Sequence, residues 1–348
     1  MFTRTGKLYI TLGVLLLLII TGSVFLYFTT AAPNGNTKEK EESRRFVVSQ
    51  KDAKGEAIEK LEEENFIRSS LAFVFIHRGK VAPGAYRLSS TMSAFEISQV
   101  IQEGPYMKWV VIPEGVRKEE IGELLGRELL WSKEKVEDFI VEETQRVSEL
   151  AEGVFFPDTY LIAKDESTAR VAERLHSAFN EAFAPYLEES LRQNIRWPTL
   201  VKIASLIQRE AAGEEDMNLI SGILWNRLLD GKRLELDATV QYVRDTLGNY
   251  IFDEEGDILS YTGELGKESG WWRPIALTDK RQDVFNANTY LHTGLPDTPI
   301  ANPGLKAIEA TLFPEETECY FYIHEDDGTI HCARTLDEHE ENIERYLR

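Results

Sequence analysis

Cysteine is nearly absent. Cys319 and Cys332 are the only two in 348 residues, so no disulfide framework carries the fold and a packed core must do so. They flank "YFYIHEDDGTIH", which reads as a hairpin with an Asp-Gly turn. No register that closes at this turn sets them opposite each other, so two separate thiols are expected. A basic surplus is missing as well: 39 Lys and Arg face 59 Asp and Glu, a net charge of −20. That excludes a nucleic-acid backbone as the main partner, because there is no cationic surface to release its counterions. A compact metal motif is also lacking. His324, His331, Cys332 and His339 gather near the C-terminus, which keeps a metal hydrolase open as an alternative. Their spacing matches no zinc signature such as H-E-x-x-H, and strand and cap roles explain them, so neither metal nor cofactor is expected.

What is present begins with "LYITLGVLLLLIITGSVFLYFTT", residues 8–30, which contain no charge and follow Arg4 and Lys7. This stretch has the length to cross a hydrocarbon core of about 30 Å at 1.5 Å per residue. A cleaved signal peptide would have a shorter apolar core and a better cleavage site than "TTAAP". The expectation is an uncleaved transmembrane anchor with residues 1–7 in the cytoplasm and the body of the chain on the far side of the membrane. Residues 31–45, "AAPNGNTKEKEESRR", lack large apolar side chains and read as a flexible tether.

An internal repeat follows. Shifted by 63, Phe46-Val47-Val48 falls on Trp109-Val110-Val111 and Leu61 on Leu124; shifted by 74, Pro83, Tyr86 and Leu88 fall on Pro157, Tyr160 and Ile162. Each copy reads strand, helix, short helix, strand, helix, over 46–105 and 106–189. The alternative is chance similarity between two amphipathic segments. From 190 to 348 the texture becomes helical: Leu200, Ile203, Ala204, Ile207 and Ala211 form one stripe, and helices are expected at 216–230 and 236–247. Asn302 with Pro303 suggests a further helix start, and Thr335 with Glu338 suggests a capping box. The fold class is therefore α+β: an N-terminal transmembrane helix, duplicated strand-helix-helix-strand modules, and a largely helical domain with a C-terminal β-hairpin.

Two acids stand out. Glu210 lies at the edge of the apolar stripe, neither in the core nor free in solvent, with Lys202 and Arg209 opposite the stripe. A carboxyl against an apolar wall favours its protonated form, as a general acid requires, but edge glutamates are common on amphipathic helices. Asp237 stands where it could cap the helix that begins at Ala238, with backbone N–H bonds that would keep it ionised. Glu214, Glu215 and Asp216 read as solvated charges before the next helix.

The stretches "IPEG" (112–115), "EGVFFPDTY" (152–160), "IASLIQREAA" (203–212), "GILWNRL", "LELDATVQY", "NANTYLHTGLPDTPIANPG" and "HCARTLDEH" together resemble the YceG-like family of membrane-bound endolytic murein transglycosylases. The resemblance implies a LysM-like module in the repeat region. It also implies a lytic transglycosylase that cuts peptidoglycan glycan strands to 1,6-anhydro ends, near the synthases that make them. It places the single catalytic acid/base at Glu210, and Asn226, Asp237, Thr239, Tyr290 and Asn302 in the glycan groove or its support. Two positions depart from the family pattern: Gln208 stands where a second glutamate is common, and Ala238 where proline is. They motivate the alternative of a catalytically silent glycan-binding scaffold.

Overall fold

The computed structural model describes residues 4–27, 32–33, 42–52, 56–263 and 270–348. Most of the expected tether at 31–45, and the end of the expected span at 28–30, lie outside them. Helix α1 covers Arg4–Leu26. Its side chains are described from Leu12 to Phe25, and Leu15, Leu16, Leu17, Leu18 and Phe25 are all exposed. Among the described residues no helix is long and apolar enough to cross a membrane.

The chain divides into two compact units. The first ends at Trp109 and takes in residues 160–164. It contains β1 (Arg44–Val48), α2 (Glu56–Glu63), α3 (Ser70–Ile76), β2 (Gly84–Leu88) and α4 (Ala94–Glu103). Strands β3 (Met107–Val111) and β4 (Thr159–Ala163) complete a sheet of order β1-β2-β3-β4. β1 and β2 pair antiparallel with Phe46 opposite Tyr86, which puts Phe46, Val48, Tyr86 and Leu88 against Leu61, Phe66, Phe73 and Ile97 in one core. Ser93 and Glu96 close a capping box at the start of α4. Gly84 (φ 140°) is held glycine by crowding: a Cβ there would come within 2.4 Å of the Met107 carbonyl.

The second unit contains α5 (Lys118–Leu129), α6 (Lys133–Asp138), a π-helical turn (Phe139–Glu143), α7 (Thr144–Val147) and α8 (Thr168–Arg192). From β3 to α8 the chain order is therefore strand, helices α5 and α6, the π-helical turn, α7, strand and helix. Next come α9 (Trp197–Glu210), α10 (Met217–Leu229), α11 (Asp237–Leu247), the hairpin β5 (Tyr250–Phe252) and β6 (Ile258–Tyr261), and α12 (Leu305–Leu312). Hairpin β7 (Phe321–His324) and β8 (Ile330–Ala333) with α13 (Leu336–Tyr346) ends the chain. α9 is the central rod: Leu200, Val201, Ile203, Ala204, Leu206 and Ile207 are fully buried and α8, α10, α11 and α12 pack round it. Pro198 sits in its first turn, where its missing N–H is no loss. α10 passes so close to the chain before β7 that a Cβ on Gly222 would lie 2.1 Å from the Glu315 carbonyl oxygen.

Three local expectations change. α12 begins at Leu305 with Gly304 as its cap, so Asn302 is not a helix cap. Asp237 is the first residue of α11 and makes no capping bond; Leu236 occupies the cap position. Cys319 and Cys332 are joined in a disulfide with Cα atoms 5.8 Å apart, not held as separate thiols. In the ladder Cys332 faces Tyr322. Cys319 precedes β7, outside the register, which is why matching residues across the turn did not pair the two. The capping box of Thr335 with Glu338 is present at α13.

Candidate active site

α9 ends at Glu210, and the chain turns away at Ala211, which is extended. The carboxyl therefore projects from a helix C-terminus toward the start of α11 and the hairpin β7–β8. Tyr322 of β7 donates its hydroxyl to Glu210 Oε2 at 2.6 Å, and the Ala238 N–H in the first turn of α11 makes a long 3.4 Å contact to Oε1. Burial pushes the Glu210 carboxyl above the ordinary range; the Tyr322 hydroxyl and the Ala238 N–H oppose this, while the nearby Asp237 charge reinforces it. With Oε2 occupied by a strong donor, Oε1, touched only at the edge of hydrogen-bond range among the described residues, is the oxygen left to carry and hand over a proton. Tyr322 itself is raised well above its usual value, by burial first and then by the carboxyl beside it, so it acts as a donor rather than an ionising group.

Of the sequence-predicted residues, Asp237 and Tyr290 stand beside this carboxyl. Tyr290 donates to Asp237 Oδ1 at 2.7 Å, and Lys280 pairs with the same oxygen at 3.5 Å while lying 3.7 Å from the centre of the Tyr290 ring. The side chain of Asp237 is 56% exposed, giving a solvated anion next to a desolvated acid. The other three are used internally. Asn226 donates to the carbonyls of Thr317 and Cys319 and so ties α10 to the segment entering the hairpin. Thr239 is buried, donating to the Leu236 carbonyl and paired with Thr289. Asn302 is fully buried: its Oδ1 accepts from Phe155 N–H, and its amide donates to Val116 O and to Glu152.

Sequence reasoning missed Tyr322, since its position opposite Glu210 depends on how the terminal hairpin docks, which no local pattern encodes. It also misread Asp216. This residue is buried, accepts N–H bonds from Ala212 and Gly213, and pairs with His324 at 2.7 Å, so it pins the loop after α9 to the hairpin and is not a solvated charge. Arg209, on the side of α9 opposite the stripe, lies 3.9 Å over the Trp272 ring and donates to Gly115 O. Gln208 accepts the Gly304 N–H at 2.9 Å and hydrogen-bonds Glu114, whose carboxyl is raised chiefly by burial and by Glu214. The C-terminal residues considered for a metal go separate ways: His331 pairs with Glu325, Cys332 is in the disulfide and His339 stacks on Phe321. Among the described residues no group of three or more His, Cys, Asp or Glu could hold a metal ion.

Residues 46–345 match the model of the YceG-like family. An endolytic murein transglycosylase of Streptococcus pneumoniae serotype 2 (strain D39 / NCTC 7466) is 23% identical over 324 residues, covering 82% of this chain. The chain spans about half of that relative's length, 55%. The endolytic murein transglycosylase of Bacillus subtilis (strain 168) is 25% identical over 313 residues, with 82% of this chain and 80% of that protein covered. The crystal structure of a yceG-like protein from Listeria monocytogenes superposes with a TM-score of 0.56 at 22% identity, covering 87% of this chain and 99% of that one, and so shares its fold. With the family match running through both units and the hairpin that completes the site, the chain belongs to the YceG-like family.

Proposed function

We propose that this chain is an endolytic peptidoglycan lytic transglycosylase with Glu210 as its single acid/base. The observation that carries the reading is the state of that carboxyl: desolvated, biased toward its protonated form, one oxygen fixed by Tyr322 and the other left for substrate. The relatives named as endolytic murein transglycosylases support the substrate class. In the reaction, protonated Glu210 gives its proton to the glycosidic oxygen as the bond from muramoyl C1 breaks, and the departing N-acetylglucosamine leaves with a 4-hydroxyl. The muramoyl C6 hydroxyl attacks C1, and the Glu210 carboxylate takes its proton. The sugar becomes 1,6-anhydro and Glu210 is protonated again. One carboxyl serves both steps because the nucleophile is part of the substrate and held at high effective molarity. Glycosidases that use external water normally need two. Asp237, Tyr290 and Lys280 form a polar rim suited to sugar hydroxyls and to the positive charge that develops at C1. Asn226, Thr239 and Asn302 support the groove from behind.

The anchor, the LysM-like character of the repeat and association with peptidoglycan synthases belong to the same proposal. The exposed apolar sleeve of α1 supports a bilayer-embedded segment, and the Cys319–Cys332 disulfide fits an oxidising, extracytoplasmic compartment. The decisive test incubates the full-length chain in detergent micelles, wild type and Glu210→Gln, with uncrosslinked glycan strands and measures anhydro-muropeptides by mass spectrometry. Wild type is expected to produce them, and Glu210→Gln to lose at least about a hundredfold in rate. Equal product from both would remove Glu210 as the catalyst. No anhydro product from wild type would favour a silent glycan-binding scaffold.

A further inference from the structure

Helix α3 of the first unit is apolar on every side. From Leu71 to Ile76 it reads "LAFVFI" without a polar residue, whereas a surface helix that packs on a core by one face carries its apolar residues in one stripe. Phe73 takes the inward face and is buried in the core with Leu61, Phe66 and Ile97. Leu71, Val74 and Phe75, spaced i, i+3 and i+4, form the opposite face and are 80%, 53% and 79% exposed. Phe95, in the first turn of α4, is exposed as well, and α3 packs against that helix. Single exposed apolar residues are ordinary, but a helix face made only of them is a contact surface for something else.

Charge and position both point to the occupant. Between Asn65 and Phe95 the chain has no Asp or Glu but carries Arg68, Arg78, Lys80 and Arg87, in a protein whose net charge is −20. Arg78 and Lys80 directly follow α3, are exposed, and make no ion pair among the described residues. An apolar face with a basic rim is the composition of a segment that lies in the headgroup region of an anionic bilayer. Arg68, next to the α3 cap Ser69, donates to the Pro33 carbonyl at 2.6 Å. The Ala32 N–H in turn bonds to the carbonyl of Tyr27, one residue past α1. Pro33 is three residues beyond the apolar stretch 8–30, a separation of at most about 10 Å. The start of α3 is therefore tied to the point at which the anchored chain leaves the bilayer.

We propose that the outward face of α3, Leu71, Val74 and Phe75, lies in the headgroup region of the membrane in which α1 is anchored, with Arg78 and Lys80 toward anionic lipid phosphates. The proposal rests on the reading of α1 as an anchor. It adds a second membrane contact, which holds the first unit against the lipid surface instead of leaving it to swing on its tether.

The test uses the full-length chain in lipid nanodiscs. Cys319 and Cys332 are bridged, so Phe75→Cys, or separately Leu18→Cys, supplies the single thiol for the environment-sensitive dye NBD. Both side chains are largely exposed, so neither substitution opens the core. The dye at position 75 is expected to lose emission to nitroxide-labelled lipid, more with the nitroxide near the headgroup than at the chain end, as for a helix about 5–10 Å deep. The dye at position 18, midway along the anchor, is expected to show the reverse order. The loss at position 75 should be larger in discs containing phosphatidylglycerol than in phosphatidylcholine alone; equal loss in the two overturns the choice of an anionic surface. Quenching at position 18 with none at position 75 overturns the α3 contact and leaves the anchor standing, whereas quenching at neither overturns both. A dye at position 75 that is shielded from aqueous iodide but indifferent to the lipid nitroxide means that protein, such as a second copy of the chain, covers the face, and this too overturns the proposal.

Discussion

The hydroxyl of Tyr322 works against the burial that raises Glu210. A donor to a carboxylate stabilises the charged form, so Tyr322→Phe removes a hydrogen bond that holds the Glu210 carboxyl down. The protonated acid then persists to higher pH. The alkaline limb of the pH profile for kcat/KM should move upward, and the rate at the optimum should fall roughly tenfold, as expected for losing an orienting bond worth about 1.4 kcal/mol. An unchanged limb would mean that Tyr322 merely fills space. Glu152 offers a separate stability signal. Burial and the Glu119 charge push it up to about 8, against the Arg117 and Lys118 charges. The native chain therefore keeps a proton that the unfolded chain releases from about pH 4.5 upward. Stability should fall as pH rises through that window and flatten above about 8. Glu152→Gln, which keeps an acceptor for Lys118 N–H and the Asn302 amide, should flatten the fall by several degrees in a thermal scan, at about 2–4 °C per kcal/mol.

At the scale of elements, the hairpin β7–β8 decides whether the Glu210 carboxyl has its partner. It is held by the Cys319–Cys332 bridge, by Asn226 bonding the Thr317 and Cys319 carbonyls, by Arg227 donating to Tyr320 O at 2.6 Å, and by His324 on Asp216. Replacing both cysteines by serine should cost about 3 kcal/mol, the usual scale for a loop of this length, read from a urea titration. Strand cleavage should drop with it, since Tyr322 sits three residues beyond Cys319. Stability loss with full activity would show that the hairpin docks without the bridge. Much of this level was legible in the sequence. The stripe from Leu200 to Ile207 gave α9, the Asp-Gly turn gave the hairpin, and Thr335 with Glu338 gave the start of α13, because each is a local pattern with a local cause. Asp216, Asn302 and Tyr322 were not legible, because their partners lie 108, 147 and 112 residues away in the chain and a polar residue looks the same in sequence whether it meets water or a distant backbone. Glu210 fell between: its wheel position suggested a half-buried carboxyl, and its chemistry became readable only with the neighbouring motifs and the hairpin against it.

At the scale of the whole chain, which carries a net charge of −20, an acidic body follows an apolar N-terminal stretch, and these two compositions belong in different media. The outward Leu and Ile side chains of α1 between Leu12 and Phe25 suit lipid or another apolar surface, whereas the disulfide near the opposite terminus fits an oxidising compartment. The anchor proposed above, with residues 1–7 in the cytoplasm and the rest of the chain exported, would satisfy both. The arrangement predicts that alkaline phosphatase, which needs disulfides of its own, is active when fused after Arg348, and that a fluorescent protein which matures only in the cytoplasm stays dark at the same position. Deleting residues 1–30 should trap the phosphatase fusion inside the cell and silence it. A dark phosphatase with a bright fluorescent fusion in the full-length chain would put the catalytic unit on the cytoplasmic side, out of reach of assembled glycan strands, and would overturn the topology and the proposed substrate together.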